Sequence, residues 1–250
     1  MSTTIIPKRP SPWKDLHGDI FMCFAWPPQS KKPPTASYHD LEANVSFSDQ
    51  IYSGGIQACI IVHYYDSPVG PYDELLWIPG RFELAKSEGE KTYRATRVYV
   101  SSKGSVFNGR NNWNVPKALA KFEFTGPKMG HLPYSCITIS SYCGKEPFLR
   151  LNLEPMFFKS RPFLPLDTKY IPISFKFDFP PLPESSNMRV DARIGTSGWQ
   201  SVHVRISGRA GLVKACGTMG DGFHFPKLEQ RHWFWMKNAV IWIEGSSDNV

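Results

Sequence analysis

A period-two alternation runs through this sequence. In "ISFKFDF" (173–179), Ile173, Phe175, Phe177 and Phe179 share one face, and Ser174, Lys176 and Asp178 share the other. The same texture marks 57–65 ("QACIIVHYY"), 73–80 ("DELLWIPG"), 91–102, 134–142, 147–155, 170–180, 200–210 and 239–245. β-Branched and aromatic residues dominate these runs, and the 22 Pro and 19 Gly supply the turns between them. Long stretches with helical periodicity are nearly absent. The expected fold is therefore mainly β, a single large curved barrel or sandwich with few short helices and closed or covered edges. Gly104 to Asn114 reads as a loop. "PKALAKFEF" (116–124) reads as a short helical turn, with Pro116 at its first position, followed by a strand.

Residues 1–36 carry seven prolines and are expected to form an extended arm packed on one domain spanning 37–250. An apolar content of 41% supports a real core. The net charge of +7 is scattered, with no basic helix, finger spacing or RNA-recognition motif, so no nucleic-acid partner is expected. Five cysteines without a CxxC pair fit reduced thiols, not a zinc or redox site. The opening residues lack an apolar signal core, and "IFMCFAWPP" is too short to span a bilayer. The expectation is a cytoplasmic protein with no membrane partner.

Most standard chemistries lack their motif. There is no GxGxxG opening a helix, no GK[ST] phosphate loop, no GxSxG elbow and no HExxH. The seven histidines show no metal-ligand spacing, so neither a metal nor a cofactor is expected. Two stretches stand out. In "YYDSPVGPYDELLW" (64–77), Asp73 and Glu74 enter an apolar strand, and alternation turns one of the two inward. An inward carboxylate needs a partner. In "GRNNWNVPKALAKFEF" (109–124), Lys117 is flanked by Val115, Ala118, Leu119 and Ala120. Taken alone, it reads as a surface lysine or as a buried amine. Burial disfavours the ammonium form of lysine, and a neutral amine attacks carbonyls.

Together the two stretches resemble the acetoacetate decarboxylase-like family. There a D-x(n)-G-x-Y-x-E element precedes a G-R-x(5)-P-K segment. The matching residues are Asp66, Gly70, Tyr72 and Glu74, then Gly109, Arg110, Pro116 and Lys117, with Leu119 also fitting. The resemblance covers about residues 55–125. It implies a curved β-barrel around a buried pocket. It also implies a Schiff-base role for Lys117, proton handling by Glu74 and a pocket position for Arg110. Tyr72, Trp77, Phe107, Trp113 and Asn111 are the expected substrate-binding residues. Self-association through exposed sheet surfaces is compatible with it.

Ala118 stands where the decarboxylase has a second lysine, Asn111 stands where an acidic residue is common, and "IFMCFAW" offers no arginine. These differences imply a substrate other than acetoacetate. The expected function is a cofactor-independent lyase acting on an oxo-acid or a polyketide- or terpenoid-like carbonyl through Lys117. Two alternatives stay open. One is a non-covalent cyclase or pericyclase of a natural-product pathway. The other is a carrier of a small apolar ligand.

Overall fold

The computed structural model describes residues 6–27, 30, 32–44, 51–84, 89–170, 175–185 and 193–246. Its strands are β1 (Trp13–Ala25), β2 (Tyr52–Gly54), β3 (Gln57–Tyr64), β4 (Tyr72–Ile78), β5 (Arg81–Glu83), β6 (Lys91–Tyr93) and β7 (Arg97–Val100). They continue with β8 (Lys117–Thr125), β9 (Cys136–Ser141), β10 (Pro147–Pro155), β11 (Leu164–Asp167), β12 (Lys176–Phe179), β13 (Gln200–Cys216) and β14 (His232–Ser246). Three short helical segments are α1 (Asp40–Ala43), α2 (Lys103–Trp113) and α3 (Phe157–Ser160).

All strands belong to one sheet, in the order β10-β9-β8-β7-β4-β3-β1-β14-β13-β12-β6-β5-β2, with β11 beside β13. β10 pairs with β9 on one side and, through Asn152 to Pro155, with β13 on the other. The path from β10 through β9 to β13 therefore closes on itself, while β11 and the β12-β6-β5-β2 extension branch from β13 outside that ring. Most neighbours are antiparallel. β7 and β8 run parallel, as the α2 crossover between them requires.

Alternation splits the buried side chains into two cores. One cluster draws on every strand of the closed ring, including Phe21, Ile61, Leu75, Tyr99, Ala118, Ile139, Leu151, Val213 and Trp235. It fills the inside of the ring. The other contains Ile20, Val62, Tyr72, Val98, Val100, Leu119 and Ile241 from the opposite face, together with Val106 and Trp113 of α2. It is the outer core, capped by α2 and the adjoining segments.

Three expectations are corrected by the structure. Residues 1–36 are not simply an arm, because β1 lies in the middle of the sheet between β3 and β14. The prolines that disguised it, Pro12 and Pro27, only flank the strand. Gly104 to Asn114 is not a loop, because Lys103–Trp113 is helical. Its Gly and Asn residues have poor helix propensity, but its ends are capped. The Ser102 side chain accepts from the Ser105 N–H, and Asn114 ends the helix in a left-handed conformation at φ 53°, its N–H donating to the Arg110 carbonyl. Pro116 does not open a helix. It sits at the centre of a three-residue turn closed by Lys117 N–H to Val115 O at 2.7 Å, and the strand begins at Lys117. The expected strand over 170–180 lies partly outside the described residues, with β12 as its described part.

Candidate functional site

Register decides which side chains meet. Lys117 pairs across β8 with Val98, and Glu74 pairs across β4 with Val100. Val98 and Val100 both belong to the outer core, so Lys117 and Glu74 face it too. Lys117 Nζ donates to Glu74 Oε2 at 2.7 Å and to Ser105 Oγ at 3.1 Å. All three residues are buried, Lys117 at 3% exposure and Glu74 at 4%. Nζ also lies 5.3 Å from the ring centre of Tyr72, which stacks on Tyr64 at 4.5 Å. Burial, and then the nearby Glu74 carboxylate, push the Tyr72 hydroxyl well above its ordinary pKa, so Tyr72 stays protonated. The cluster is a buried Lys–Glu–Ser–Tyr constellation under α2.

The backbone beside it is shaped for the lysine. The nearest turn of α2 carries Gly109, and a Cβ built there would lie 2.5 Å from Lys117 Cδ and 2.7 Å from Cε. Only glycine leaves room for the lysine stem. Ser105 and Gly109 are one helical turn apart and so share the face that meets Lys117.

The other expected site residues are dispersed. Arg110 is fully buried, but it donates to Glu42 Oε1 at 2.7 Å, Pro183 O at 2.7 Å and Ile194 O at 2.9 Å, tying α2 to α1 and to the 183 and 194 segments. Trp113 meets Trp13 edge-on at 5.0 Å and donates to Ser11 Oγ. Phe107 is half-buried and Asn111 exposed. Trp77 belongs to the inner core, on the opposite face from Lys117. There it contacts Phe225 at 5.9 Å and donates to Ser37 Oγ at 3.0 Å. The structure thus brings together Lys117, Glu74 and Tyr72 and adds Ser105, which sequence reasoning missed because it lies in the unrecognised helix.

Two of the surface cavities bear on the search for a site, and Lys117 lines neither of them. A groove of about 490 Å³ runs along β11, lined by Leu164, Leu166, Tyr170 and Asp167, whose carboxylate is paired with Arg205 at 2.6 Å. A smaller cleft of about 200 Å³ opens beside Arg97, Tyr99 and His39.

Structural comparison places this architecture among solved proteins. The crystal structure of acetoacetate decarboxylase from Legionella pneumophila superposes with a TM-score of 0.58, at 12% identity over 96% of this chain and 89% of that one. A second acetoacetate decarboxylase structure gives 0.57, at 12% identity over 96% and 90%. The chain has the acetoacetate decarboxylase fold. The expectation drawn from the two motifs is met at that level. At this identity the likeness to acetoacetate decarboxylase speaks for the fold alone. No family model matches the chain, and no curated protein matches it by sequence. No helix among the described residues is long and apolar enough to cross a membrane.

Proposed function

We propose that this protein is a small-molecule enzyme that uses Lys117 as an amine nucleophile towards a carbonyl substrate, with lyase chemistry of the decarboxylase kind. The observation that carries this reading is the 2.7 Å contact between Lys117 Nζ and Glu74 in a buried site. Glu74 is placed to take a proton from the ammonium. The freed amine adds to the carbonyl, and loss of water gives a protonated imine. With a 3-oxo acid, the imine takes up the electron pair left when carbon dioxide departs. Glu74 returns the proton it took to the departing hydroxyl, so the resulting enamine takes up one proton from solvent, relayed through Glu74, and water then releases the ketone and restores the lysine ammonium. Ser105 Oγ and the Tyr72 ring hold the Nζ in position throughout.

Borohydride reduction in the presence of a panel of 3-oxo acids and aryl ketones tests this. A mass increase on the Lys117 peptide is expected. Unchanged turnover in a folded Lys117→Ala protein would remove the reading.

One observation favours a second reading. The lysine stem already fills the space over Gly109, and its Nζ is satisfied by two partners. Under this reading Lys117 pins α2 to the sheet, and the protein works without a covalent step, as a cyclase-type enzyme or an apolar-ligand carrier. Lys117→Arg then keeps function and borohydride traps nothing.

A further inference from the structure

The short segment α3 and the residues after it join β10 to β11 and present apolar side chains to solvent. Phe157 is 69% exposed and Phe158 75%, Phe163 and Leu164 are exposed, and Tyr170 beyond β11 is 79% exposed. Side chains of this size usually fill cores, and exposed clusters of them mark contact surfaces. These form one patch. Phe158 and Phe163 meet edge-on with ring centres 5.7 Å apart, and Leu164 and Tyr170 line the same groove along β11.

The backbone is built to hold two of the rings outward. Phe158, Lys159 and Ser160 are consecutive left-handed residues, at φ 52°, 54° and 58°, and none is glycine. Such conformations are costly and persist only where the surroundings impose them. Here Ser160 is the anchor, and it is fully buried. Its Oγ accepts from the Met156 N–H at 2.9 Å and donates to the Leu212 carbonyl, and its own carbonyl accepts from Trp235 Nε1 at 2.8 Å. The turn that it fixes carries Phe157 and Phe158, and neither ring belongs to either core cluster.

Cations surround the patch. Lys159, Arg161 and Lys169 are exposed, as is Arg209, which stands opposite Pro165 on β13. Among the described residues, none of the four is in ion-pair range of a carboxylate. The one acidic side chain between residues 156 and 170, Asp167, is already paired with Arg205 at 2.6 Å. The shared sign disfavours a second copy of the chain as occupant, because a two-fold contact through the patch sets cations against cations. It fits a surface that is apolar beneath and anionic on top. The headgroup layer of an anionic bilayer is such a surface, where aromatic rings settle at the boundary and Lys and Arg meet phosphates.

We propose that residues 157–164, with Lys169, Tyr170 and Arg209, form a docking surface for an anionic lipid membrane. The contact is peripheral and needs no spanning helix. It departs from the expectation of no membrane partner, which rested on the lack of a spanning segment and did not address a surface contact. The inference is independent of the role of Lys117.

Co-sedimentation of the full chain with vesicles of phosphatidylcholine alone, and of equimolar phosphatidylcholine and phosphatidylserine, tests it. Binding to the anionic vesicles is expected, weaker on the neutral ones and falling as salt rises. Phe157→Ser and Phe158→Asn should each lower partitioning onto the anionic vesicles roughly tenfold. Asn tolerates the left-handed turn, so the second variant keeps the local backbone. Lys159→Gln and Arg161→Gln should each lower it roughly fivefold. Lys91→Gln, at an ion pair with Glu83 outside the patch, leaves it unchanged. If Phe158→Asn fails to fold, Phe157→Ser carries the test. No binding to the anionic vesicles, equal binding to both kinds, or unchanged partitioning of Phe157→Ser overturns the proposal. A dimer in light scattering that Phe157→Ser dissolves, without vesicle binding, gives the patch to a second copy and overturns it too.

Discussion

Gly109 and Lys117 share one volume: the side chain that Gly109 lacks would occupy the place taken by the lysine's Cδ and Cε. Gly109→Ala therefore forces the lysine stem aside or pushes α2 off the sheet. A loss of about 1–3 kcal/mol is expected, as for overpacking generally. Urea unfolding measures it. The penalty should shrink in a Lys117→Ala background, because the clashing atoms are gone and the two changes are coupled.

Removing one member of the Lys117–Glu74 pair strands a buried charge. Lys117→Met or Glu74→Gln should each cost about 3–5 kcal/mol. The double variant should lose less than the sum, since no unpaired charge is left behind. A double-mutant cycle by denaturant titration gives the coupling, and strict additivity would count against a desolvated pair.

The caps of α2 are separable from its packing. Ser102→Ala removes the acceptor for the Ser105 N–H and should cost about 1 kcal/mol. Asn114→Ala places a Cβ-bearing residue without a compensating amide at φ 53° and gives up the bond from its side chain to Gly198 O at 2.8 Å. It should cost more than Asn114→Gly, which keeps the left-handed turn. Thermal melts of the three proteins check the order.

Two histidines pull pH dependence in opposite directions. The folded pKa of His39 is lowered, so the unfolded chain takes the proton more readily, and stability falls as pH drops below about 6.5. The pKa of His63 is raised, first by its 2.6 Å bond with Asp73, so its contribution is present below about 6.5 and is lost as pH rises above it. His63 is partly exposed, and solvent weakens its effect. His39→Gln should flatten the loss of stability on acidification through this window, and His63→Gln should steepen it. Unfolding midpoints across the window provide the measurement.

Much of this was legible in the residues. The alternating runs marked the strands because one face of each is buried. The two motifs carry Tyr72, Glu74 and Lys117, and these three meet because β4 and β8 flank the same strand, β7. Helix α2 was hidden because its signal lies in two caps and not in periodicity or propensity, and Ser105 was hidden with it. β1 was masked by prolines that turn out to bracket it. Trp77 is a different case. Glu74 and Trp77 are three positions apart in one strand, so alternation already puts them on opposite faces. Residue type drew Trp77 into the expected pocket although its parity excluded it. The Arg97 cleft had no local signature, because segments distant in sequence, around residues 39, 97, 193 and 224, build it.

The closed ring has a consequence for how the chain reaches this state. β14 lies between β1 and β13, and Trp13 stands opposite Ile243 in that pairing. The seam is thus sewn by strands from opposite ends of the sequence. Until β14 arrives, β1 and β13 each present a bare row of hydrogen-bonding groups. A nascent chain on the ribosome must hold that gap open from the emergence of β1 until β14 follows it, when pairing with a neighbouring chain competes with completion of the ring.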